Sequence, residues 1–408
     1  MKKIMILGTG AQGSTVAQRM DEEPNVGEII CADYDKKAVD ELVKIIKKGR
    51  GVQVDASKIE NIVEAAQGVD LIVNALPLAY GPNVLEAALR TKINYQDFAA
   101  TDALLDDWVE GIKLMYTEYG RRFAEIGKTA IIGTGSAPGL ICVAARHTMR
   151  YLDSCETIYN IIYEGVEAKR FLPFWWSPVT ALNDMSEEAY AFENGRMIRT
   201  EAFSRPITRK YDYLDNEVTF VEHAHDEPVH MGLNADKYFK GAKNIYFKYA
   251  GAGVDFSKPL YRAGLLSKKP VEIDGMKVVP FKVVLKHLPP APKYREEIKE
   301  IIEEGLVSDT GAMVVEAIGL KDGKKVKVET HVFAPGLVES FEKAGITAEM
   351  YITGQGGALF TKMFINDMYT QKGLISSDML EFEQIDYYLK CAEGLGITLE
   401  TSVEPIDV

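Results

Sequence analysis

The opening residues constrain the fold of this chain more than any other segment. A short apolar run, residues 3–7, is followed at once by the segment Gly8–Gly13, whose sequence is Gly-Thr-Gly-Ala-Gln-Gly. Apolar residues on one helical face come next, and a second apolar run, residues 28–32, leads into Asp33. This order predicts a strand, a glycine-rich turn, a helix and a second strand parallel to the first.

Each glycine of this turn has a physical role in binding a dinucleotide. Gly8 permits the tight turn, Gly10 lets the backbone approach a pyrophosphate, and Gly13 permits close packing of helix on strand. The helix N-terminus offers free N–H groups and a positive dipole end to the phosphates. Asp33 follows Gly13 by 20 residues and is placed to accept hydrogen bonds from the ribose hydroxyls. The segment therefore predicts a dinucleotide-binding domain.

The carboxylate of Asp33 also bears on the choice of cofactor. Its negative charge repels a 2′-phosphate, which favours NAD over NADP. Lys36 and Lys37 lie close in the sequence and offset part of that repulsion. We therefore expect NAD as the cofactor, with NADP as the less favoured alternative.

Strand-like and helix-like segments continue to alternate as far as about residue 145. Near-continuous apolar runs such as residues 70–76 are typical of parallel strands covered on both faces. Gly49 and Gly51 predict the end of the second helix, with a third strand over residues 52–55. The fold class predicted for residues 1–145 is α/β, a Rossmann-type doubly wound parallel sheet.

The pattern changes in the second part of the chain. Alternating segments such as residues 157–163 predict strands, and Asp322-Gly323 predicts a hairpin turn. Residues 146–349 are therefore expected to form a mixed α+β domain for substrate binding and dimerisation. Helical periodicity returns near Thr353, so residues 350–408 are expected to complete the dinucleotide-binding domain.

Ligands of doubly wound sheets bind outside the carboxyl ends of the strands, and this rule selects candidate cofactor residues. They are Gly8, Gly10, Ala11, Gln12, Gly13, Asp33, Tyr34, Asp55, Ala56, Asn74, Ala75, Leu76 and Pro77. Tyr34, Asp55 and Ala56 are expected on the adenine side, and the loop that begins at Asn74 nearer the nicotinamide. For each residue the alternative is a role in a turn or a helix cap.

Candidate catalytic residues lie in both parts of the chain. Asp97 ends the fifth predicted strand and is a candidate for proton transfer or for holding an ammonium group, with a helix cap as the alternative. His223, His225 and Glu227 cluster in a second segment, where the two histidines would share one face of a strand. A metal site is one interpretation of this cluster, the lining of an amino-acid pocket is another, and exposed strand residues are a third. No second ligand cluster supports a metal, so none is predicted.

Several function classes are excluded by composition and motifs. The net charge is −13 and the pI about 5.1, so binding to nucleic acid is not expected. No apolar run is long enough to span a membrane, and no signal peptide precedes the first strand, so we expect a cytoplasmic protein. The chain has neither GxSxG, HExxH nor P-loop motifs, so hydrolysis and phosphoryl transfer lack support.

Taken in order along the chain, several motifs resemble those of the saccharopine dehydrogenase-like family, nearest to its lysine 6-dehydrogenase and carboxynorspermidine synthase groups. They are Gly8–Gly13, Asp33, Asn74–Pro77, Tyr95–Asp97, Ala137–Leu140, Trp176–Pro178, Asn183-Asp184, His225–Pro228 and a turn at Thr353–Ala358. The resemblance implies a dinucleotide domain built from both termini and a middle domain that forms a homodimer. It also implies Trp176 and Ser177 as substrate-binding residues. The turn has Gly-Gln-Gly-Gly where relatives more often carry Tyr-Pro-Ala, a departure in the part that determines the substrate.

The resemblance implies an NAD(P)-dependent oxidoreductase that acts on the C–N bond of an amino acid or amine, by oxidative deamination through an imine. The alternative is reductive condensation of an amine with a carbonyl compound, as in saccharopine-, opine- or carboxynorspermidine-type synthases. A third possibility is a non-catalytic NAD sensor. Asp97, His225 and Glu227 are the predicted catalytic residues. A substrate carboxylate would need an arginine, for which the sequence offers Arg170, Arg199, Arg205 and Arg262.

Overall fold

The structure is a computed structural model that describes residues 1–99 and 104–406. The chain divides into two compact units. The first unit comprises Met1–His147 and Met350–Thr398, and the second unit comprises Thr148–Glu349 and Leu399–Val408. Within the described residues, no helix is both long and apolar enough to cross a membrane.

Eighteen strands lie in the described part of the chain. They are β1 (Lys2–Leu7), β2 (Val26–Asp33), β3 (Gly49–Gln53), β4 (Leu71–Asn74), β5 (Asn94–Asp97), β6 (Thr129–Ile132), β7 (Ser154–Ala168), β8 (Ala189–Glu193), β9 (Arg196–Thr200), β10 (Ile207–Arg209), β11 (Val218–Glu222), β12 (Asn244–Gly251), β13 (Val271–Ile273), β14 (Met276–Val278), β15 (Leu306–Lys321), β16 (Lys324–Phe333), β17 (Gly373–Ser376) and β18 (Thr398–Pro405).

Sixteen α-helices accompany these strands in the same described residues. They are α1 (Ala11–Asp21), α2 (Lys36–Val43), α3 (Ile59–Ala65), α4 (Gly81–Thr91), α5 (Trp108–Leu114), α6 (Gly120–Glu125), α7 (Leu140–Thr148), α8 (Pro178–Asp184), α9 (Glu227–Leu233), α10 (Ala235–Tyr238), α11 (Ala252–Arg262), α12 (Pro280–His287), α13 (Arg295–Glu304), α14 (Leu337–Ala344), α15 (Ala348–Ile365) and α16 (Phe382–Glu393). A π-helical turn, Met115–Tyr119, joins α5 to α6.

The first unit contains a seven-stranded parallel sheet. Its strand order is β17-β6-β5-β4-β1-β2-β3, so the order reverses on either side of β1. Residues 4–7 of β1 and residues 71–73 of β4 are apolar and buried, as central parallel strands covered on both faces must be. This arrangement confirms the predicted α/β class with a doubly wound parallel sheet.

The third strand begins three residues earlier than predicted. Gly49 and Gly51 do not end the second helix but lie within β3 itself. A Cβ at Gly49 would lie 2.9 Å from the Ile46 side chain, and one at Gly51 would lie 2.7 Å from the Val39 side chain. Glycine is therefore needed here for the close approach of this edge strand to neighbouring side chains.

The expected turn at Thr353–Ala358 is wrong, because these residues lie inside the buried helix α15. Their glycines bring the helix close to its neighbours in the first unit. A Cβ at Gly354 would lie 2.7 Å from the Thr15 side chain of α1, and one at Gly357 would lie 2.3 Å from the Phe98 ring. Burial against these groups outweighs the low helix propensity of glycine.

The second unit is built on a nine-stranded mixed sheet. Seven strands follow the order β10-β11-β12-β7-β15-β16-β18, while β8 pairs with β12 and β9 pairs with β8. Strands β7 and β12 are parallel, whereas β7–β15 and β15–β16 are antiparallel. The hairpin predicted at Asp322-Gly323 is confirmed, since Lys321 pairs with Lys324 across it.

The C-terminal residues differ from the expected domain division. The segment 350–408 was expected to lie wholly in the first domain, but residues from Leu399 onward belong to the second unit. The reason is that β18 lies beside β16 at the edge of the mixed sheet, where the Ile406 amide donates to the Lys325 carbonyl.

Candidate functional site

The glycine turn between β1 and α1 is held by steric necessity. Gly8 has a φ of +102°, and a Cβ there would lie 2.7 Å from the carbonyl oxygen of Ala75. A Cβ at Gly13 would lie 1.9 Å from the carbonyl oxygen of Gly8. These two positions therefore require glycine for the tight turn and for close helix packing.

Gly10 is different, because a Cβ at this position would have nothing within 4 Å. Gly10 is the N-cap of α1, and no side chain caps this helix. The first N–H groups of a helix lack intrahelical partners, and they carry the positive end of the dipole. Open space in front of an uncapped N-terminus fits a pyrophosphate, so these residues fit a dinucleotide cofactor.

Asp33 lies at the end of β2 and is tied to the same turn. Its Oδ2 atom accepts hydrogen bonds from the Thr9 amide at 2.7 Å and from the Thr9 hydroxyl at 3.1 Å. Its Oδ1 atom accepts from the Asp35 amide at 3.0 Å. A carboxylate oxygen has two lone pairs, so Oδ1 can still accept a hydrogen bond from a ribose hydroxyl. Thr9, which fixes the orientation of this carboxylate, was not predicted from the sequence.

The other predicted cofactor residues follow neighbouring strands along the same edge of the sheet. Tyr34 is 72% exposed, and its carbonyl accepts a hydrogen bond from Gln53. Asp55 accepts hydrogen bonds from Ser57 and lies 3.3 Å from Lys58; these Ser57 hydrogen bonds are the main reason why the pKa of Asp55 is lowered. Its contacts in the structure are thus those of a turn.

The remaining candidates surround the turn from the sides of β3 and β4. Ala56 is buried, and its carbonyl accepts from Asn83 at 3.0 Å. Ala75 donates its amide to Leu7 at 2.8 Å, which fixes the loop after β4 against the end of β1. Asn74 is the last residue of β4, and Ala75, Leu76 and Pro77 follow it in the loop. Ala11 and Gln12 lie in the first turn of α1. All these residues lie at the carboxyl edge of one sheet.

Asp97 ends a buried chain of hydrogen bonds rather than lying open to a ligand. The Asn74 amide donates to the Tyr95 hydroxyl at 3.0 Å, and that hydroxyl donates to Asp97 Oδ2 at 2.9 Å. Asp97 Oδ1 accepts from the Gly133 amide at 2.9 Å, and Asp97 is 4% exposed. Burial, followed by the charge of Asp97, raises the pKa of Tyr95 well above its usual range. This geometry favours a structural role for Asp97, joining the ends of β4, β5 and β6.

The second unit brings the predicted residues His225 and Glu227 into direct contact. The strand β11 ends at Glu222, so the two histidines do not lie on a strand as expected. Their rings nevertheless approach to 5.7 Å between centroids, and His225 stacks on Phe247 at 4.1 Å. His225 Nδ1 donates to Glu227 Oε2, and Glu227 is fully buried at the start of α9.

This pair retains a proton at neutral pH. Burial disfavours a charge on His225, but the charge of Glu227 and its hydrogen bond outweigh this effect and raise the pKa of His225 to about 9. Burial also raises the pKa of Glu227. His223, by contrast, has its pKa lowered well below the usual range by burial and by the His225 charge, so it is neutral.

A carboxylate that the sequence analysis missed, Glu164, belongs to this region. The Trp176 indole Nε1 donates to Glu164 Oε2 at 3.2 Å, which brings a predicted substrate-binding residue to this carboxylate. Burial raises the pKa of Glu164 to about 7, the charge of Glu349 adds to the shift, and His225 opposes it. Glu164 lies inside β7, which continues to Ala168, so the rule on strand ends does not select it.

Other predicted residues have contacts of a more ordinary kind. Ser177 is the N-cap of α8, where its hydroxyl accepts from the Thr180 amide at 3.3 Å. Three of the four candidate arginines are already paired with glutamates: Arg170 with Glu304, Arg199 with Glu188 and Arg205 with Glu193. The structure therefore does not single out any of these three as the partner of a substrate carboxylate.

A metal was not predicted at the histidine cluster, although its geometry resembles a ligand set. His225, Asp226 and Glu227 each offer one ligand atom, and these atoms lie within 4.8 Å of one another. The Nδ1 atom of His225, however, donates to Glu227, and a metal bound to this nitrogen would have to displace that proton. We therefore interpret this cluster as an acid–base pair.

Comparisons with known proteins agree with this geometry. Residues 4–131 match the family model of the saccharopine dehydrogenase NADP-binding domain. Carboxynorspermidine synthase from Vibrio alginolyticus is 25% identical over 419 residues, covering 97% of this chain and 95% of the relative. Carboxyaminopropylagmatine dehydrogenase from Synechocystis sp. is 21% identical, covering 93% of each chain.

A solved structure supports the fold over nearly the whole length. Apo saccharopine dehydrogenase (L-Glu forming) from Saccharomyces cerevisiae superposes with a TM-score of 0.69 at 15% identity, covering 99% of this chain and 100% of that chain. The resemblance noted in the sequence is thereby confirmed, and the cofactor class is NAD(P). The chain is thus similar to the saccharopine dehydrogenase-like family, whose NADP-binding domain model matches residues 4–131.

Proposed function

We propose that this protein is an NAD(P)-dependent oxidoreductase that acts on the C–N bond of an amino acid or amine. The observation that carries the proposal is the uncapped N-terminus of α1, open in front of Gly10 and adjoined by the carboxylate of Asp33. The relatives named above supply the class of bond, because each is named for a compound that contains a secondary or substituted amine.

The chain's own residues supply proton chemistry and orientation. When bound, the nicotinamide ring takes up or gives the hydride of the carbon beside the nitrogen. His225 is 17% exposed and protonated at neutral pH, so it can donate a proton to a substrate oxygen. The Glu227 carboxylate accepts a hydrogen bond from His225 Nδ1 and so fixes the orientation of this imidazole. In one direction the proton assists the loss of water that forms an imine, and in the other the same pair assists imine hydrolysis.

Reductive condensation of an amine with a carbonyl compound is the second candidate. It uses the same imine as oxidative deamination but runs in the opposite direction. The observation that favours it is the name of two relatives, since carboxynorspermidine synthases from Vibrio alginolyticus and Vibrio cholerae are 25% and 26% identical over 97% of this chain.

A two-way assay tests the proposal and decides between its two forms. Purified protein is incubated with oxidised NAD or NADP and a panel of amino acids and amines, and formation of reduced nicotinamide is followed by absorbance. The reverse panel combines each amine with aldehydes and 2-oxo acids in the presence of reduced cofactor. Turnover in the first panel supports deamination, and turnover only in the second supports condensation. Cofactor binding without turnover in either panel would refute an enzymatic function. The alternative of a non-catalytic NAD sensor would then stand.

We propose further that Asp33 makes NAD the preferred cofactor. Its carboxylate would lie beside a 2′-phosphate, and Lys36, the nearest cation in sequence, is already paired with Asp40 at 2.8 Å. The family model, by contrast, is named for NADP. Titrating both reduced cofactors into the wild type decides the point, and tighter binding of NADPH would refute the preference.

The variant Asp33→Ala tests the same contact. Loss of a charged acceptor is expected to weaken NAD binding by roughly 1–3 kcal/mol, or about 5- to 150-fold. Asp35→Ala is the matched control, because Asp35 caps α2 by accepting from the Lys37 amide and is exposed. If the two variants bound NAD with equal affinity, the proposed contact between Asp33 and the ribose would be refuted.

The place of action and assembly state are further proposals. We propose that the protein works in the cytoplasm as a homodimer on a small-molecule amine, as the resemblance to the family implies. Sedimentation velocity of the purified chain at micromolar concentration tests the dimer, and a single species with the 45.3 kDa mass of one chain would refute it.

A further inference from the structure

Glu164 lies in the second unit beside the end of the parallel strand β12, at a point where its own strand, β7, continues to Ala168. It pairs in register with Gly251, the last residue of β12. Gly251 has a φ of +143°, and a Cβ there would lie 2.3 Å from the Glu164 carbonyl oxygen. Glycine thus lets β12 turn directly into α11 beside Glu164.

The groups around Glu164 combine aromatic surface with buried hydrogen-bonding atoms. Trp176 fixes one carboxylate oxygen through its indole N–H. Tyr249, on the same strand as Gly251, is buried, and the Glu164 charge helps burial to raise the pKa of its hydroxyl well above the usual range. His223 stacks on Tyr249 at 4.5 Å between ring centroids, which links this carboxylate to the histidine cluster.

Three buried polar atoms of the same cluster lack hydrogen-bond partners among the residues that the structure describes. They are Glu227 Oε1, His223 Nε2 and the Tyr249 hydroxyl oxygen, on side chains that are 0%, 3% and 4% exposed. A buried acceptor left without a partner is costly to folding and points to a ligand or water that satisfies it. Glu164 itself is only partly buried, so a ligand can reach it.

Charges of both signs act on Glu164, namely the carboxylate of Glu349 and the imidazolium of His225, which is itself paired with Glu227. After burial, the charge of Glu349 raises the pKa of Glu164, whereas the Trp176 indole N–H and the charge of His225 lower it. A cationic group between these carboxylates would be attracted, and a second carboxylate would be repelled. The cluster therefore fits an ammonium group better than a neutral or anionic one.

Resting on the proposed function, we propose that Glu164 binds the ammonium group of the substrate and takes up its proton. In this step an N–H bond of the ammonium breaks, an O–H bond forms on Glu164, and the electron pair stays on nitrogen. The nitrogen then has the free lone pair that attack on a carbonyl or loss of hydride from the neighbouring carbon requires. Glu164 acts as the base, and His225 remains the acid on the oxygen side.

Calorimetric titration of the full chain, saturated with NAD(P), with linear alkyl mono- and diamines of three to five carbons tests this assignment. Two buffers of different ionisation enthalpy reveal the protons released. The pKa of Glu164 is about 7, so near pH 7 it is about half protonated. Binding an ammonium should expel that fraction, about half a proton for each amine. A neutral alcohol of the same length should bind weakly and release none.

Glu164→Gln keeps an acceptor for the Trp176 indole but removes the charge. We expect amine affinity to fall about 10- to 100-fold and proton release to disappear. Glu164→Asp should bind more weakly than the wild type yet keep the proton release. Glu167→Gln is the matched control, because Glu167 lies on the opposite face of β7 and should change neither quantity.

Several results would overturn the inference. If Glu164→Gln kept the amine affinity and the proton release of the wild type, the Glu164 side chain would be structural. The same conclusion would follow if Glu164→Asp lost the proton release with unchanged amine affinity. Failure of the wild type to bind any amine, while it binds NAD(P) normally, would refute the role of Glu164 and leave the cofactor site intact. Failure to bind either nucleotide would instead refute the proposed function, so the two failures are distinguishable.

Discussion

Two neighbouring glycines of the first turn should respond in opposite ways to the same substitution, Gly→Ala. At Gly13 the new Cβ would lie 1.9 Å from the Gly8 carbonyl oxygen, far inside any real contact. Helix α1 would have to withdraw by roughly 1 Å, and overpacking of this kind destabilises a protein by about 3 kcal/mol. Gly13→Ala is therefore expected to lower the free energy of unfolding first and nucleotide affinity only as a consequence.

At Gly10 the new Cβ meets nothing within 4 Å, and the backbone has a φ of −70°, which alanine adopts freely. Gly10→Ala should change the free energy of unfolding by less than about 1 kcal/mol. The methyl group would, however, occupy the space in front of the helix N-terminus. Holding the pyrophosphate away from these N–H groups should weaken binding about 100-fold, equivalent to losing one or two charge-assisted hydrogen bonds.

Urea denaturation followed by circular dichroism measures the first quantity, and fluorescence titration with NADH measures the second. The expected result is a crossed pattern: Gly10→Ala is stable but binds poorly, and Gly13→Ala is unstable. Wild-type NADH affinity in Gly10→Ala would refute the placement of the pyrophosphate. Wild-type stability in Gly13→Ala would refute the close packing of α1 on β1.

Two further predictions concern buried polar groups. Tyr95→Phe should reduce the free energy of unfolding by about 2–3 kcal/mol, because the buried Asp97 carboxylate loses a hydrogen bond and the Asn74 amide loses its acceptor. Denaturant unfolding of this variant that matches the wild type would contradict the prediction. The pKa of His225 is raised to about 9 from an ordinary 6.5, so its contribution to stability is complete below pH 6.5 and is lost as pH rises through 9. The stability difference between wild type and His225→Gln should therefore shrink by roughly 3 kcal/mol over that interval, and a pH-independent difference would exclude the ion pair with Glu227.

The first half of the chain was predictable because local and tertiary requirements agree there. The segment Gly8–Gly13 is constrained by its own backbone, and the apolar strands around it are buried on both faces, so sequence alone locates them. Asp33 follows as the residue at the end of β2. Thr9 could not be assigned in this way, because its bond to Asp33 depends on how two strands are aligned in the sheet.

The misjudged segments are those where distant parts of the chain override local preference. The glycines of α15 indicate a turn by propensity, yet contacts with Thr15 and Phe98 make a helix the better solution. Asp97 looked accessible as a residue at a strand end, but Tyr95 and Gly133 bury its carboxylate. The role of Glu164 depends on its register with Gly251, about ninety residues later, which periodicity does not reveal.

The split of the first unit around an inserted second unit has a consequence for biosynthesis. Strand β6 obtains its outer partner, β17, only after roughly 240 further residues have left the ribosome. At ordinary translation rates this is a delay of roughly 10–50 s, during which one side of β6 is an unprotected sheet edge. Nascent chains of this protein should consequently depend on chaperones until β17 emerges, and their aggregation during expression should be relieved by slowing initiation rather than elongation.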